Sequence, residues 1–169
     1  MIREIRAIDP ETPIIVESDG CAQYDMLEFL PVFDAVNIIY SIHFYMPGEY
    51  THQLEAHRKP FLHYPDDSKK WNKEYIRRHL ARAREFQQKT GARIYVGEVG
   101  CIRWAPGGDL WLRDCIDLFE DYGWDWCYHA YREWNGWSAE HGEDPGEKQI
   151  QPMTPRKRLL LDYFSRNQR

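Results

Sequence analysis

No two of the four cysteines in this 169-residue chain form a Cys-x-x-Cys pair; Cys21, Cys101, Cys115 and Cys127 stand far apart. No Cys/His spacing matches a zinc site, so buried free thiols are expected and no metal or other cofactor is implied. His43, His52, His57 and His63 are numerous, but they fall in no ligand spacing, which leaves a metal-dependent hydrolase little support. Basic excess is missing as well. With 22 basic against 27 acidic residues and a net charge of -5, a nucleic-acid partner is not expected. The one basic cluster, Arg77, Arg78, Arg82 and Arg84, lies in a helical pattern and reads as a solvated helix face. No apolar run approaches bilayer-spanning length, and Met-Ile-Arg-Glu-Ile-Arg is neither a signal nor a transit peptide, so no membrane association is expected.

What the chain has in excess is aromatic surface. Aromatic residues make up 15% of it and seven are Trp, a bias that fits either a Trp-rich core or a surface for flat, partly apolar ligands such as sugars. A 43% hydrophobic share over this length suits one domain with a sizeable core.

Along the chain, residues 2–8 read as the end of a helix, and Pro10 and Pro13 mark a loop. Ile14, Ile15 and Val16 form a short buried strand ending at Glu17, followed by a helical patch at 25–30. Residues 36–45 form the longest strand candidate, and Ile38, Ile39 and Ile42 suggest burial on both sides. The stretch 46–67 is long, aromatic and irregular, as functional loops are. A helix is predicted over 69–90, capped by Asp67 or Ser68 and closed by Gly91. Then come a strand at 93–98, a helix at 109–122 stopped by Gly123, a strand at 124–131, a polar loop, and a last helix entered through Pro155. Alternation of this kind implies an α/β fold with a parallel sheet and right-handed crossovers. Four such units make half of a (β/α)8 barrel, so a partial TIM barrel in a single domain, residues 1–169, is expected.

The run Arg93-Ile-Tyr-Val-Gly-Glu98-Val-Gly100 delivers one carboxylate at a strand tip, between two glycines, where α/β barrels carry their chemistry. Strict alternation puts Ser41, His43 and Tyr45 on one face of their strand and Ile94, Val96 and Glu98 on one face of the next. If those faces point inward on adjacent strands, His43, Tyr45 and Glu98 converge. A carboxylate held by a phenol and an imidazole has its ionised form stabilised, which suits a nucleophile. Taken singly, His43 reads as a satisfied core histidine and Tyr45 as a packed aromatic; their joint placement beside Glu98 favours function.

The segments Tyr40-Ser-Ile-His43-Phe-Tyr45-Met-Pro47 and Tyr50-Thr-His-Gln53 resemble the sixth-strand motif of family 5 glycoside hydrolases, the cellulase family. Gly97-Glu98-Val-Gly100 with Ile102-Arg-Trp-Ala-Pro106 resembles that family's seventh-strand nucleophile motif. Trp124-Asp-Trp-Cys-Tyr128-His129-Ala-Tyr-Arg-Glu-Trp134-Asn-Gly-Trp137 is similar to its eighth strand and following loop. The resemblance covers essentially the whole chain. It implies a retaining glycosidase acting on cellulose or a related β-glucan or mannan in an extracellular or periplasmic setting. Glu98 matches the nucleophile, and His43 and Tyr45 match residues around it.

Two departures stand out. Many members carry Trp where this chain has His129, so Trp126 or Trp134 is the expected sugar platform, with Trp104 and Glu133 as rim candidates. The family's acid/base Glu follows an Asn, and no Asn-Glu occurs here. Glu17 lies in roughly the right layer, but two strand positions separate it from Glu98. The expectation is therefore the nucleophile-bearing half of the site, needing an N-terminal barrel half or self-association to complete it. The alternative is a non-catalytic carbohydrate-binding half-barrel that kept its aromatic platform.

Overall fold

Four runs rich in β-branched and aromatic residues pair side by side in the computed structural model, which describes residues 1–55, 57 and 59–167. The chain runs α1 (Ile2–Ile8), β1 (Ile14–Glu17), a distorted turn α2 (Asp19–Ala22), a 3-10 turn (Leu27–Phe29), β2 (Ile38–Phe44) and α3 (Gly48–Thr51). It continues through α4 (Lys73–Thr90), β3 (Arg93–Val99), α5 (Gly108–Tyr122), β4 (Asp125–Tyr128) and α6 (Pro155–Ser165). The sheet is parallel throughout, in the order β1-β2-β3-β4. This is the expected α/β half-barrel, with each strand followed in sequence by helical structure. No helix among the described residues is long and apolar enough to cross a membrane.

One face of the sheet makes the core. Tyr40, Ile42 and Phe44 of β2 and Ile94, Val96 and Val99 of β3 are buried there. They share a cluster with Ile76, Leu80 and Ala83 of α4 and Trp111, Leu112, Ile116 and Phe119 of α5. Alternation sends Ser41 and His43 to the opposite face. On β1 the same alternation leaves Ile15 52% exposed. β2 is thus buried by helices on one face only, not on both as its isoleucines suggested.

Helix ends follow local chemistry. Asn72, not Asp67 or Ser68, caps α4, its Oδ1 accepting from the Tyr75 amide at 3.0 Å. Asp66 instead folds the preceding turn, accepting from the amides of Ser68 and Lys69, and this delays the helix to Lys73. Gly91 ends it in the left-handed conformation at φ 69°, as expected. Thr154 caps α6, with Pro155 at its first position. Of the four thiols, Cys101 and Cys115 are buried and Cys21 and Cys127 exposed, which corrects the expectation for the latter two. Burial raises the Cys101 and Cys115 pKa values, so both stay neutral thiols.

Candidate active site

The tips of β2 and β3 meet through a bulge. Ile42 pairs with Val96, but His43 pairs with Glu98, so β3 carries one residue more than its partner. The extra residue reverses the parity of β3. Ile94 and Val96 face the helices, while Glu98 turns to the other face beside His43. The sequence reading put all three on one face; strict alternation fails because Gly97 sits in the bulge. A side chain there has no room: an ideal Cβ would lie 2.7 Å from Ser41 Oγ and 3.3 Å from His43 Nε2.

Glu98 is 33% exposed, with one hydroxyl donor and two imidazoles around it. The Tyr45 hydroxyl donates to its Oε2 at 2.7 Å. His43 Nδ1 stands 3.4 Å from the same oxygen, and His129 Nδ1 3.8 Å from Oε1. Burial first, then the Glu98 carboxylate, raises the Tyr45 pKa far above its ordinary value, so its oxygen keeps the proton it donates. The hydrogen bond is charge-assisted, the stronger kind.

Tyr45 is itself held. Buried Thr51 of α3 donates to the Tyr45 carbonyl at 2.7 Å, and the Tyr45 ring meets His52 edge-on at 4.9 Å. Burial pushes the His52 pKa below its ordinary value, favouring a neutral ring. The loop after β3 is tied to the loop after β2, since the Ile102 amide donates to the Thr51 carbonyl and Trp104 Nε1 to the Gln53 carbonyl. Arg103 then anchors the long loop after β4, its guanidinium donating to the carbonyls of Gly142, Asp144, Pro145 and Glu147.

A cleft of about 310 Å3 opens over this centre, lined by Gly20, Tyr24, His43, Tyr45, His52 and Glu98 among others. Its far wall is the α2 turn, where Gly20, Cys21 and Ala22 all take positive φ. For Cys21 and Ala22 that is a costly conformation, of the sort found where a backbone shapes a site. Among the described residues no cluster of His, Cys, Asp and Glu is arranged to hold a metal ion.

The comparisons show the family to which the chain belongs. Residues 1–142 match Cellulase (glycosyl hydrolase family 5). The chain belongs to this family. It is similar to endoglucanase C of Acetivibrio thermocellus, 30% identical over 153 residues, covering 72% of this chain and 44% of that protein. A hyperthermophilic endo-β-1,4-glucanase solved in complex with substrate superposes with a TM-score of 0.72 at 25% identity, over 92% of this chain and 50% of its own. The cellulose synthase subunit Z of Clostridioides difficile shares the fold, with a TM-score of 0.73 at 21% identity, over 95% of this chain and 52% of its own. The chain thus spans about half the length of these relatives.

Within this family fold, Glu98, His43 and Tyr45 come together, and His129 stands beside them. Trp126 does not join them. It points to the helix side of β4, stacked on Phe164 of α6 at 5.4 Å. Trp104, 5% exposed, is a buried strut rather than a rim residue. Trp134 is exposed at the edge, with Trp104 at 5.9 Å and Trp137 at 6.4 Å. The indole nearest the centre is Trp137, 6.0 Å from Tyr45, 5.2 Å from His52 and 5.9 Å from His129. Its carbonyl accepts from the Tyr128 hydroxyl at 2.6 Å. Trp137 was visible in the sequence only as the end of a motif in a loop, where periodicity says nothing about direction. His52 was equally visible beside Tyr50 and Thr51, and its role emerges only once α3 folds back on Tyr45.

Proposed function

We propose that this chain carries the nucleophile half of a retaining β-glycosidase site acting on cellulose or a related β-glucan or mannan. The supporting observation is the Glu98 carboxylate, half-open to a cleft, with a protonated tyrosine donating to it and two imidazoles within 4 Å. In this reading Glu98 attacks the anomeric carbon, the glycosidic C–O bond breaks, and its electron pair leaves on the departing oxygen, which takes a proton. Water then hydrolyses the glycosyl ester. Tyr45 and His43 flank the carboxylate, Trp137 beside Tyr45 and His52 supplies the aromatic platform, and His129 takes the place of the usual Trp. The names of the relatives, endoglucanase C and an endo-β-1,4-glucanase, support a β-1,4-linked substrate.

A retaining site needs a second carboxyl group about 5–5.5 Å from the first. We assign that acid to the complementary barrel half, meeting the open edges of β1 and β4. Without it, an activated aryl cellobioside is the substrate of choice, because its leaving phenolate needs little protonation. Turnover abolished by Glu98→Gln is the expected result. Turnover unchanged by that substitution overturns the assignment. Sugar binding with no turnover by the wild type favours the alternative, a carbohydrate-binding half-barrel.

A further inference from the structure

Thr51 and His52, adjacent at the end of α3, fix between them which nitrogen of the His52 ring carries hydrogen. Thr51 Oγ1 stands 2.7 Å from the Tyr45 carbonyl oxygen and 2.8 Å from His52 Nδ1. The hydroxyl has one hydrogen to give, and a carbonyl can only accept. If the ring took that hydrogen, the two oxygens would face each other across 2.7 Å with nothing between them. Both contacts are attractive only when the hydroxyl donates to the carbonyl and Nδ1–H donates to the hydroxyl. The Gly48 carbonyl faces the ring as well and favours hydrogen on it.

The ring sits edge-on to Tyr45 at 4.9 Å and to Trp137 at 5.2 Å. Loss of water there, with His129 nearby, lowers its pKa and keeps it neutral. A neutral ring with hydrogen on Nδ1 carries a lone pair on Nε2, and no group among the described residues hydrogen-bonds to that nitrogen. His52 is also where two hollows meet. It lines the cleft of about 310 Å3 over Glu98 and a second hollow of about 630 Å3, whose other walls include Glu49, Gln53, Lys59 and Leu62. Both are of the size that holds ligands. The second hollow is firmly built. Gln53 Nε2 donates to the carbonyls of Tyr50 and Leu62, its Oε1 accepts from the Leu62 amide, and Trp104 Nε1 donates to its carbonyl.

The geometry points to His52 as a substrate-binding residue whose Nε2 accepts a hydrogen bond from a hydroxyl of the sugar lying next to the one at Glu98. An acceptor at the junction of the two hollows selects a substrate that reaches both, so the substrate is an oligosaccharide rather than a simple glycoside of one sugar. Tyr45 belongs to the same unit. Its hydroxyl donates to Glu98, and its carbonyl holds the Thr51 hydroxyl that orients His52. One turn of chain thus sets both the donor on the carboxylate and the acceptor beyond it. The place of the sugar rests on the glycosidase reading above; the position of the ring hydrogen does not.

The test uses the full chain. With 15N-labelled histidine, NMR at neutral pH should show hydrogen on Nδ1 and none on Nε2 of His52 in the wild type, and Thr51→Val should release that preference. Hydrogen on Nε2 in the wild type, or a ring unmoved by Thr51→Val, overturns the inference. Binding of cellotetraose and mannotetraose is measured by calorimetry in the wild type, His52→Asn and His52→Gln. Asn places its amide where Nδ1 lies, and Gln where Nε2 lies. Loss of one neutral hydrogen bond should weaken binding about fivefold in His52→Asn, and His52→Gln should lose less. A role confined to packing against Thr51 predicts the reverse order, and that order overturns the inference. Sugar binding left intact by His52→Asn, with Glu98→Gln still abolishing aryl cellobioside turnover, refutes the His52 role alone. No binding of either tetrasaccharide by the wild type refutes this role and the glycosidase reading together.

Discussion

Adding one methyl group at Gly97 tests whether the bulge builds the site. The glycine has no unusual φ, so alanine fits the backbone, and restricting the unfolded chain should stabilise by about 0.4–1 kcal/mol. Against this stands a Cβ 2.7 Å from Ser41 Oγ and 3.3 Å from His43 Nε2. Either Ser41 turns away and gives up its bond to Glu17, or the strands move apart. Overpacking of this kind costs about 1–3 kcal/mol. The net expectation for Gly97→Ala is a loss of about 1–2 kcal/mol in a urea titration. Ser41→Ala removes the oxygen that obstructs the new methyl and costs about 1 kcal/mol for its hydrogen bond to the half-exposed Glu17. Combined, the two substitutions should be less harmful than their sum by at least about 1 kcal/mol. Additivity within about 0.5 kcal/mol would mean that Gly97 and Ser41 do not press on each other, and the bulge argument would fail.

Other outcomes follow from the same geometry. Arg156 is buried and donates to the carbonyls of Cys101, Ile102 and Arg103 just beyond β3, so Arg156→Met, which leaves those carbonyls without their donor, should cost about 1–3 kcal/mol of unfolding free energy, read by denaturant titration. His52 and His79 are both held below 6.5 by burial. The unfolded chain therefore takes up their protons first, and their contribution is full above about pH 6.5 and lost as pH falls below it. Urea midpoints should drop between about pH 7.5 and pH 5, and His79→Gln should flatten that slope. Trp137→Ala should weaken cello-oligosaccharide binding about fivefold or more in calorimetry. Trp126→Ala should leave affinity unchanged and cost about 2 kcal/mol of stability, because its ring packs on Phe164.

The order of strands and helices was readable because periodicity reports burial directly. Ile76, Leu80 and Ala83 share a helical stripe, and Ile38, Tyr40 and Ile42 alternate along a strand. The motif residues Glu98, His43 and Tyr45 were readable as a set because their segments resemble a family motif, although alternation along β3 gave the wrong face for Glu98. Caps were less so. Asp67, Ser68 and Asn72 all offer a suitable oxygen, and only the turn built by Asp66 decides for Asn72. The tryptophans were the least readable, because an indole serves a core and a sugar platform equally well.

From the sequence alone came the alternating α/β order, the strand-tip carboxylate and the likeness to cellulases, all of which depend on neighbours close along the chain. Which way Glu98 points was decided only in three dimensions, by one extra residue in β3 relative to β2. Which indole stands beside Tyr45 was decided there as well, by the fold of the loop after β4 around Arg103. Such choices turn on pairing and packing between segments 40 or more residues apart, and no local pattern carries that information.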